Sequence, residues 1–144
     1  MKTSEEGKAL IKSFEGCRLD AYKCSAGVPT IGYGNTYYPN GDKVRMGDTI
    51  TLEEARDLFD DLIVRYERIV ESKLKVDVKQ NQFDALVSHT YNTGGSATLF
   101  KLVNMKADKD KIKDWFTTRY ITANGKRLKG LVIRRQKEWD LYSR

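Results

Sequence analysis

Three side chains near the start of the chain have types suited to hydrolysis: Glu15, Cys24 and Thr30, a carboxylic acid, a thiol and a hydroxyl. Cutting a glycosidic bond needs one protonated carboxyl to donate to the leaving oxygen and a second group to direct water or to attack. A carboxyl drawn partly out of water keeps its proton more readily, so a half-buried Glu15 could serve as that acid. Cys24 and Thr30 could then hold the attacking water between them. On residue type alone, Glu15 could equally be a solvated or ion-paired carboxylate. Three roles compete for Cys24: a hydrogen-bonding group that positions water, a thiolate base, or a covalent nucleophile. The first is favoured, because an unperturbed thiol with a pKa near ~8.5 is mostly neutral at neutral pH and a poor base. Cys17, close behind Glu15, reads as a small core residue.

Positioning these groups falls to the elements around them. Thr3 and Glu6 have capping-box spacing, and Leu10, Ile11 and Phe14 follow on one helical face, which predicts a helix over about 3–15 that stops at Gly16. Glu15 then projects from a helix end. From 18 to 44 short alternating or aromatic pieces at 19–22, 30–33 and 37–38 are parted by Ala26-Gly27, Gly34-Asn35 and Pro39-Asn40-Gly41. That pattern reads as a small antiparallel sheet with tight turns. Gly32 and Gly34, flanking Tyr33, point to a close backbone approach.

A second capping box, Thr51 with Glu54, opens the strongest helix, about 51–75, with Ala55, Leu58, Phe59, Leu62, Ile63, Tyr66, Ile69 and Val70 along one buried stripe. Beyond it the chain is helical in short units. These run over about 78–91, ended by Asn92-Thr93-Gly94-Gly95; over 96–105; over 108–120, burying Ile112, Trp115 and Phe116; and over 131–142, with Trp139 inward. The expected class is α+β and mainly helical, a single domain over 1–144. Within it a sheet-bearing lobe would take about 15–50, a linking helix about 51–75, and a helical lobe about 76–144 together with the N-terminal helix 3–15.

Composition narrows the function. The 144 residues, 40% of them apolar, suffice for one hydrophobic core. No apolar run approaches the ~18–20 residues of a membrane span. The opening Met1-Lys2-Thr3-Ser4-Glu5-Glu6 lacks the apolar stretch of a secretory signal, so no stable membrane insertion is expected. The net charge of +6 is uneven: residues 101–144 hold 13 Lys and Arg against 5 Asp and Glu. This suits either a polyanionic partner or a solvated helical surface. Nucleic acid is not the expected partner, since no recognition-helix pattern, zinc spacing or RNA-binding aromatic signature occurs. Two cysteines make no disulfide framework, and the single histidine, His89, is remote from both, so no metal and no cofactor are expected. Both thiols are expected to be reduced when the protein is made; whether they ever oxidise together is open, and a disulfide there would disable Cys24 as a redox switch.

The run Glu15-Gly16-Cys17-Arg18-Leu19-Asp20-Ala21-Tyr22, then Cys24, then Thr30-Ile31-Gly32-Tyr33-Gly34, resembles the catalytic signature of phage-type lysozymes, the endolysins of glycoside hydrolase family twenty-four. That family spaces a Glu, eight residues, an Asp or Cys, five residues and a Thr, and Glu15, Cys24 and Thr30 keep both gaps. The Gly-Val-Pro-Thr-Ile-Gly-Tyr-Gly run, Tyr91-Asn92-Thr93-Gly94 and Gly130-Leu131-Val132-Ile133-Arg134-Arg135 also resemble it, so the likeness spans about 4–142. Where the family commonly has Gly-His-Thr, this chain has Gly34-Asn35-Thr36, and Asn35 cannot carry a proton near neutral pH. Lys129 stands where the family has Pro.

The resemblance implies a lysozyme-like fold, with a substrate cleft between its lobes, that hydrolyses the β-1,4 bond between N-acetylmuramic acid and N-acetylglucosamine in peptidoglycan. Glu15 would be the general acid, with Cys24 and Thr30 across the sugar; Asn35, Tyr91, Asn92 and Thr98 would contact substrate. It further implies a monomer held in the host bacterial cytoplasm until lysis, exported through a separate holin, and then acting on the wall. The alternative is a non-catalytic peptidoglycan-binding or phage structural module of the same fold. A cysteine-hydrolase dyad of Cys24 with His89 is a second chemistry, but no spacing supports it, and His89 reads as a packed or surface imidazole.

Overall fold

The first helix of the computed structural model, which describes residues 1–144, starts one residue later than its capping-box spacing predicts. It spans Glu5–Glu15 (α1), and Ser4 caps it, Oγ accepting the Gly7 N–H at 3.1 Å. Thr3 is buried instead, its N–H donating to Glu67 Oε2 at 2.5 Å, while Asp84 Oδ1 accepts the Ser4 N–H at 3.0 Å. Two distant carboxylates thus hold the chain before the helix, and local spacing carries no trace of them. The second capping box forms as read: Thr51 N–H donates to Glu54 Oε1 and Glu54 N–H to Thr51 Oγ1, both at 3.1 Å.

The remaining elements are β1 (Arg18–Lys23), β2 (Pro29–Gly32), α2 (Leu52–Lys73), α3 (Gln80–Thr93), α4 (Ala97–Asn104), α5 (Lys109–Thr118), β3 (Thr122–Ala123), β4 (Lys126–Arg127) and α6 (Lys129–Tyr142). Contacts divide the chain into two units, Ala9–Arg65 and Met1–Lys8 with Tyr66–Arg144. The division falls inside α1 and α2, so the C-terminal part of α1, Glu15 included, belongs with the sheet-bearing unit.

In the unit Ala9–Arg65, β1 and β2 pair antiparallel with Arg18 opposite Gly32, Tyr22 opposite Thr30 and Lys23 opposite Pro29, and an irregularity lies between Arg18 and Tyr22. Ile31, Val44 and Leu58 form its core, with Ala21, Tyr38 and Ile50 packed against them. Tyr33 meets Phe59 edge-on at 5.3 Å, and Lys12 Nζ lies 5.5 and 4.8 Å from the two ring centres. The expected third strand at 37–38 reduces to a single bridge from Tyr37 to Lys43. Pro39 brings no N–H, and the chain reverses at Gly41, φ 92°, before a ladder can extend.

The other unit is built around α3, whose residues Phe83 to Tyr91 are buried without a break. A helix enclosed on all sides is a central helix, and this one carries the polar Asp84, Ser88, His89 and Thr90 inside with it. Phe116, Trp139 and Tyr142 cluster with ring centres 5.3 to 6.1 Å apart. Trp115 is only half-buried, its indole N–H donating to Ser96 Oγ at 3.0 Å. The short β3–β4 hairpin, which periodicity alone passes over, turns at Asn124 and Gly125, both with positive φ, as an Asn-Gly pair favours.

One finding revises the reading of the basic C-terminal third. Arg134, Arg135 and Glu138 are 4%, 0% and 0% exposed. Glu138 accepts from Ser88 Oγ at 2.5 Å and from Arg134 Nε at 3.2 Å, and Arg135 Nε lies 3.2 Å from its other oxygen. These two arginines are internal ion-pair partners, and the other 11 basic residues of 101–144 are the ones exposed.

Candidate active site

α1 ends because Gly16 takes φ 67° and returns its N–H to Lys12 O at 3.1 Å. Glu15, half-buried, is the last helical residue. Cys17 follows on the exposed side of the turn, which corrects its expected place in the core; the left-handed Gly16 turns the chain outward into a strand whose first residues are solvent-exposed. Its thiol lies beside the Tyr33 hydroxyl, which burial first and Cys17 second push above its ordinary pKa.

β1 delivers Cys24 to a tight turn. Cys24 N–H donates to Val28 O at 3.0 Å and Gly27 N–H donates to Cys24 O at 2.8 Å. The returning strand seats Thr30 opposite Tyr22, 4% exposed, with its hydroxyl donating to Val28 O at 2.9 Å. The Cys24 thiol lies below its ordinary pKa. Backbone N–H groups of Val28 and then Ala26 favour the thiolate, and the Thr30 hydroxyl adds to them, outweighing the opposing effect of desolvation. Thr30 has one hydroxyl proton and two acceptors for it, the Val28 carbonyl and the Cys24 sulfur. The turn sets Cys24 and Thr30 on one shared carbonyl, Val28 O, which accepts from the Cys24 N–H and the Thr30 hydroxyl, in the same unit as Glu15.

A disulfide between Cys17 and Cys24 does not fit this strand, and both cysteines are free. Six residues of β1 separate Cys17 from Cys24. At ~3.3 Å per residue their Cα atoms lie roughly 20 Å apart, against less than ~7 Å for a disulfide.

The supporting residues divide. Asn35 is 4% exposed; it exchanges backbone hydrogen bonds with Ile31, and its Nδ2 donates to Leu58 O at 3.2 Å. It ties the end of β2 to α2 in place of facing solvent. Gly32 makes room for it: at φ 68°, a Cβ there would stand 3.0 Å from Asn35 Oδ1. Tyr91, Asn92 and Thr98 belong to the other unit. Tyr91 is 9% exposed, its ring 4.7 Å from that of Tyr66, whereas Asn92 and Thr98 are exposed. Asn92 Oδ1 accepts from Arg135 at 2.5 Å.

His89 is a packed imidazole, 1% exposed, edge-on to Phe116 and Tyr120 at 5.5 and 5.3 Å. Burial, then the Arg135 and Arg134 charges, depress its pKa to about 3. A ring so enclosed cannot meet a substrate, which removes the cysteine-hydrolase dyad. No three His, Cys, Asp or Glu side chains are arranged to hold a metal ion. No helix is long and apolar enough to cross a membrane.

The phage lysozyme family model matches residues 12–138, nearly the whole chain. The chain belongs to the phage lysozyme family. An endolysin of Acyrthosiphon pisum secondary endosymbiont phage 1 is 38% identical over 148 aligned positions, covering 99% of this chain and 98% of the relative. The solved endolysin from Escherichia coli O157:H7 phage FAHEc1 is 37% identical with a TM-score of 0.85, covering 99% of this chain and 93% of that one. A Salmonella phage P22 endolysin is 39% identical over 74% of this chain and 75% of its own, and a crystal structure of a P22 lysozyme mutant superposes with a TM-score of 0.84. The fold is thus the lysozyme-like α+β fold expected, and the protein is a glycoside hydrolase, a phage endolysin that degrades peptidoglycan for host lysis. The alternative of a non-catalytic module falls with this assignment.

Proposed function

We propose that this phage lysozyme cuts the β-1,4 bond between N-acetylmuramic acid and N-acetylglucosamine, with Cys24 in the central place of a Glu-Cys-Thr triad. Glu15 donates its proton to the glycosidic oxygen as the leaving sugar departs with the bonding electrons. Thr30 and Cys24 hold the water that adds to the anomeric carbon. The carrying observation is the turn that seats Cys24 and Thr30 on one carbonyl, Val28 O, in the unit that also holds Glu15 at the end of α1. Water positioning is the primary role of Cys24, and in its thiolate form it would also take the proton off that water. Exposed Asn92 and Thr98 are proposed substrate contacts, while buried Asn35 and Tyr91 support the surfaces beside them. The enzyme acts as a monomer, without nucleic-acid partners. It waits in the host cytoplasm and reaches the wall through a holin.

Turbidity loss of purified cell walls tests the reading. Glu15→Gln should slow clearing by about a hundredfold or more, the scale of one general acid, with unchanged thermal unfolding. Clearing at the wild-type rate would overturn the assignment of the acid. Cys24→Ser separates the roles of the thiol: a near-normal rate excludes thiolate chemistry, and loss rescued by Cys24→Asp supports a base or electrostatic role.

A further inference from the structure

Two buried aromatic side chains carry hydrogen-bond donors that nothing in the protein accepts. Trp139 and Tyr142, stacked with ring centres 5.8 Å apart, are 5% and 8% exposed. Buried indole N–H and phenol O–H groups normally find acceptors, as the Trp115 N–H does at Ser96 Oγ. The Trp139 Nε1–H and the Tyr142 hydroxyl make no hydrogen bond within the chain. Neither is among the unpartnered polar atoms sealed in the interior, so both reach open space. The space that both residues line is a cavity of about 420 Å³. It lies wholly in the unit Met1–Lys8 with Tyr66–Arg144, whereas Glu15, Cys24 and Thr30 belong to the other unit. Burial raises the Tyr142 pKa, so its hydroxyl remains a donor at neutral pH.

Three separate segments build this cavity. Val76 and Val78 come from the link between α2 and α3, Val103 and Ile112 from α4 and α5, and the two rings from the end of α6. The walls are therefore largely apolar. Among the charged lining residues, Lys106 and Lys109 are exposed and in no ion pair, Arg144 is paired with Glu6, and Asp77 is the single acid. Lys106 holds its place against a backbone preference. α4 ends in a Schellman motif, with Lys106 N–H donating to Val103 O and Ala107 N–H to Leu102 O, both at 3.0 Å. The left-handed position of that motif ordinarily falls to glycine, and Lys106 occupies it at φ 53°, a conformation that strains an L side chain. Glycine would close the same turn without strain. What the lysine adds is an ammonium group beside the cavity.

Apolar walls, two unanswered donors and unpaired cations suit a ligand with an apolar body and anionic oxygens. The volume falls within the roughly 300–1,000 Å³ of small-molecule sites. We infer that the cavity between the α2–α3 link, the α4–α5 link and α6 binds a small aliphatic carboxylate. Its oxygens accept from the Trp139 N–H and the Tyr142 hydroxyl and pair with Lys106, and its chain lies against Val76, Val78, Val103 and Ile112. A ligand so held ties three segments of the helical unit together.

Octanoate titrated into the full chain tests this, read by amide NMR shifts and by thermal unfolding. Octanoate should bind with a Kd of about 1 mM, the scale of a ligand of about ten heavy atoms. Binding should move the amides of residues 76–78 and 106–109 and raise the unfolding midpoint by mass action. Acetate lacks the chain and 1-octanol the charge, and each should bind at least about fivefold more weakly. Tyr142→Phe removes a donor with no partner in the free protein, so it should leave the free unfolding midpoint unchanged and weaken octanoate about fivefold. Lys106→Gly relieves the left-handed strain, so it should raise the free midpoint while weakening octanoate about threefold. Equal octanoate affinity in wild type and both variants would overturn the site. So would shifts confined to other residues, or acetate or octanol binding as tightly as octanoate.

Discussion

Acidification should destabilise this protein through His89, a residue with no part in its chemistry. The imidazole is sealed among aromatic rings next to two buried guanidinium groups, and its folded pKa is about 3. In the unfolded chain it returns to about 6.5. The folded pKa is the depressed one, so between these values the unfolded chain binds a proton that the folded protein excludes. Stability is therefore full above about pH 6.5 and lost as pH falls toward 3. Linkage gives a loss of about 2–3 kcal/mol between about pH 7 and about pH 4.5 from this group alone. That is a large share of the roughly 5–15 kcal/mol that holds a domain folded.

Urea unfolding of wild type and His89→Asn at the two pH values measures it. Carboxylate titrations contribute to both proteins and cancel in the difference, so the variant should lose about 2–3 kcal/mol less than wild type on acidification, whatever its stability at neutral pH. His89 is the chain's single histidine, so its NMR signals need no assignment, and their midpoint in the folded protein should lie far below 6.5. Parallel losses of stability in the two proteins, or an imidazole titrating near 6.5 while folded, would refute the reasoning.

Two further perturbations probe particular contacts. In a Cys17→Ala background, Thr30→Val should move the Cys24 titration, followed by thiolate ultraviolet absorbance, to higher pH, because it removes a donor that favours the thiolate; an unmoved midpoint would show that the backbone N–H groups act alone. Gly7→Ala, which a free helix would welcome, should destabilise by about 1–3 kcal/mol in urea unfolding, since its Cβ would stand 2.7 Å from Asp84 Cγ and from Thr3 Cγ2.

Much of the fold was legible because helices write themselves in short-range patterns. The α2 stripe and the Thr51–Glu54 box need only neighbours three and four residues apart, and both appear in the structure. What local spacing could not show depends on distant partners. The cap of α1 moved to Ser4 because Glu67 and Asp84, far along the chain, hold Thr3 and Ser4. Arg134, Arg135 and Glu138 looked like surface charge, yet Ser88 from α3 completes an internal network around them. Their spacing did hold a signal, since Arg134 and Arg135 lie four and three residues before Glu138 on one helix. The Asn124-Gly125 hairpin was likewise readable, its dipeptide being the strongest short-range hairpin sign.

The spacing of the proposed triad was visible in the sequence, but its physical meaning is not in the three side chains themselves. Five residues separate Cys24 from Thr30 because that length closes a turn in which Cys24 N–H reaches Val28 O and the strand returns with Thr30 opposite Tyr22. The same closure directs the N–H groups of Ala26 and Val28 toward position 24. A turn so built favours an anion at that position, whichever atom carries it. A carboxylate would be stabilised there as an ionised acid, and a thiol is drawn toward thiolate by the same donors. If the proposed triad holds, its tolerance of either Asp or Cys at the centre is a property of the backbone: the turn favours a negative charge, and either side chain can supply the atom to bear it.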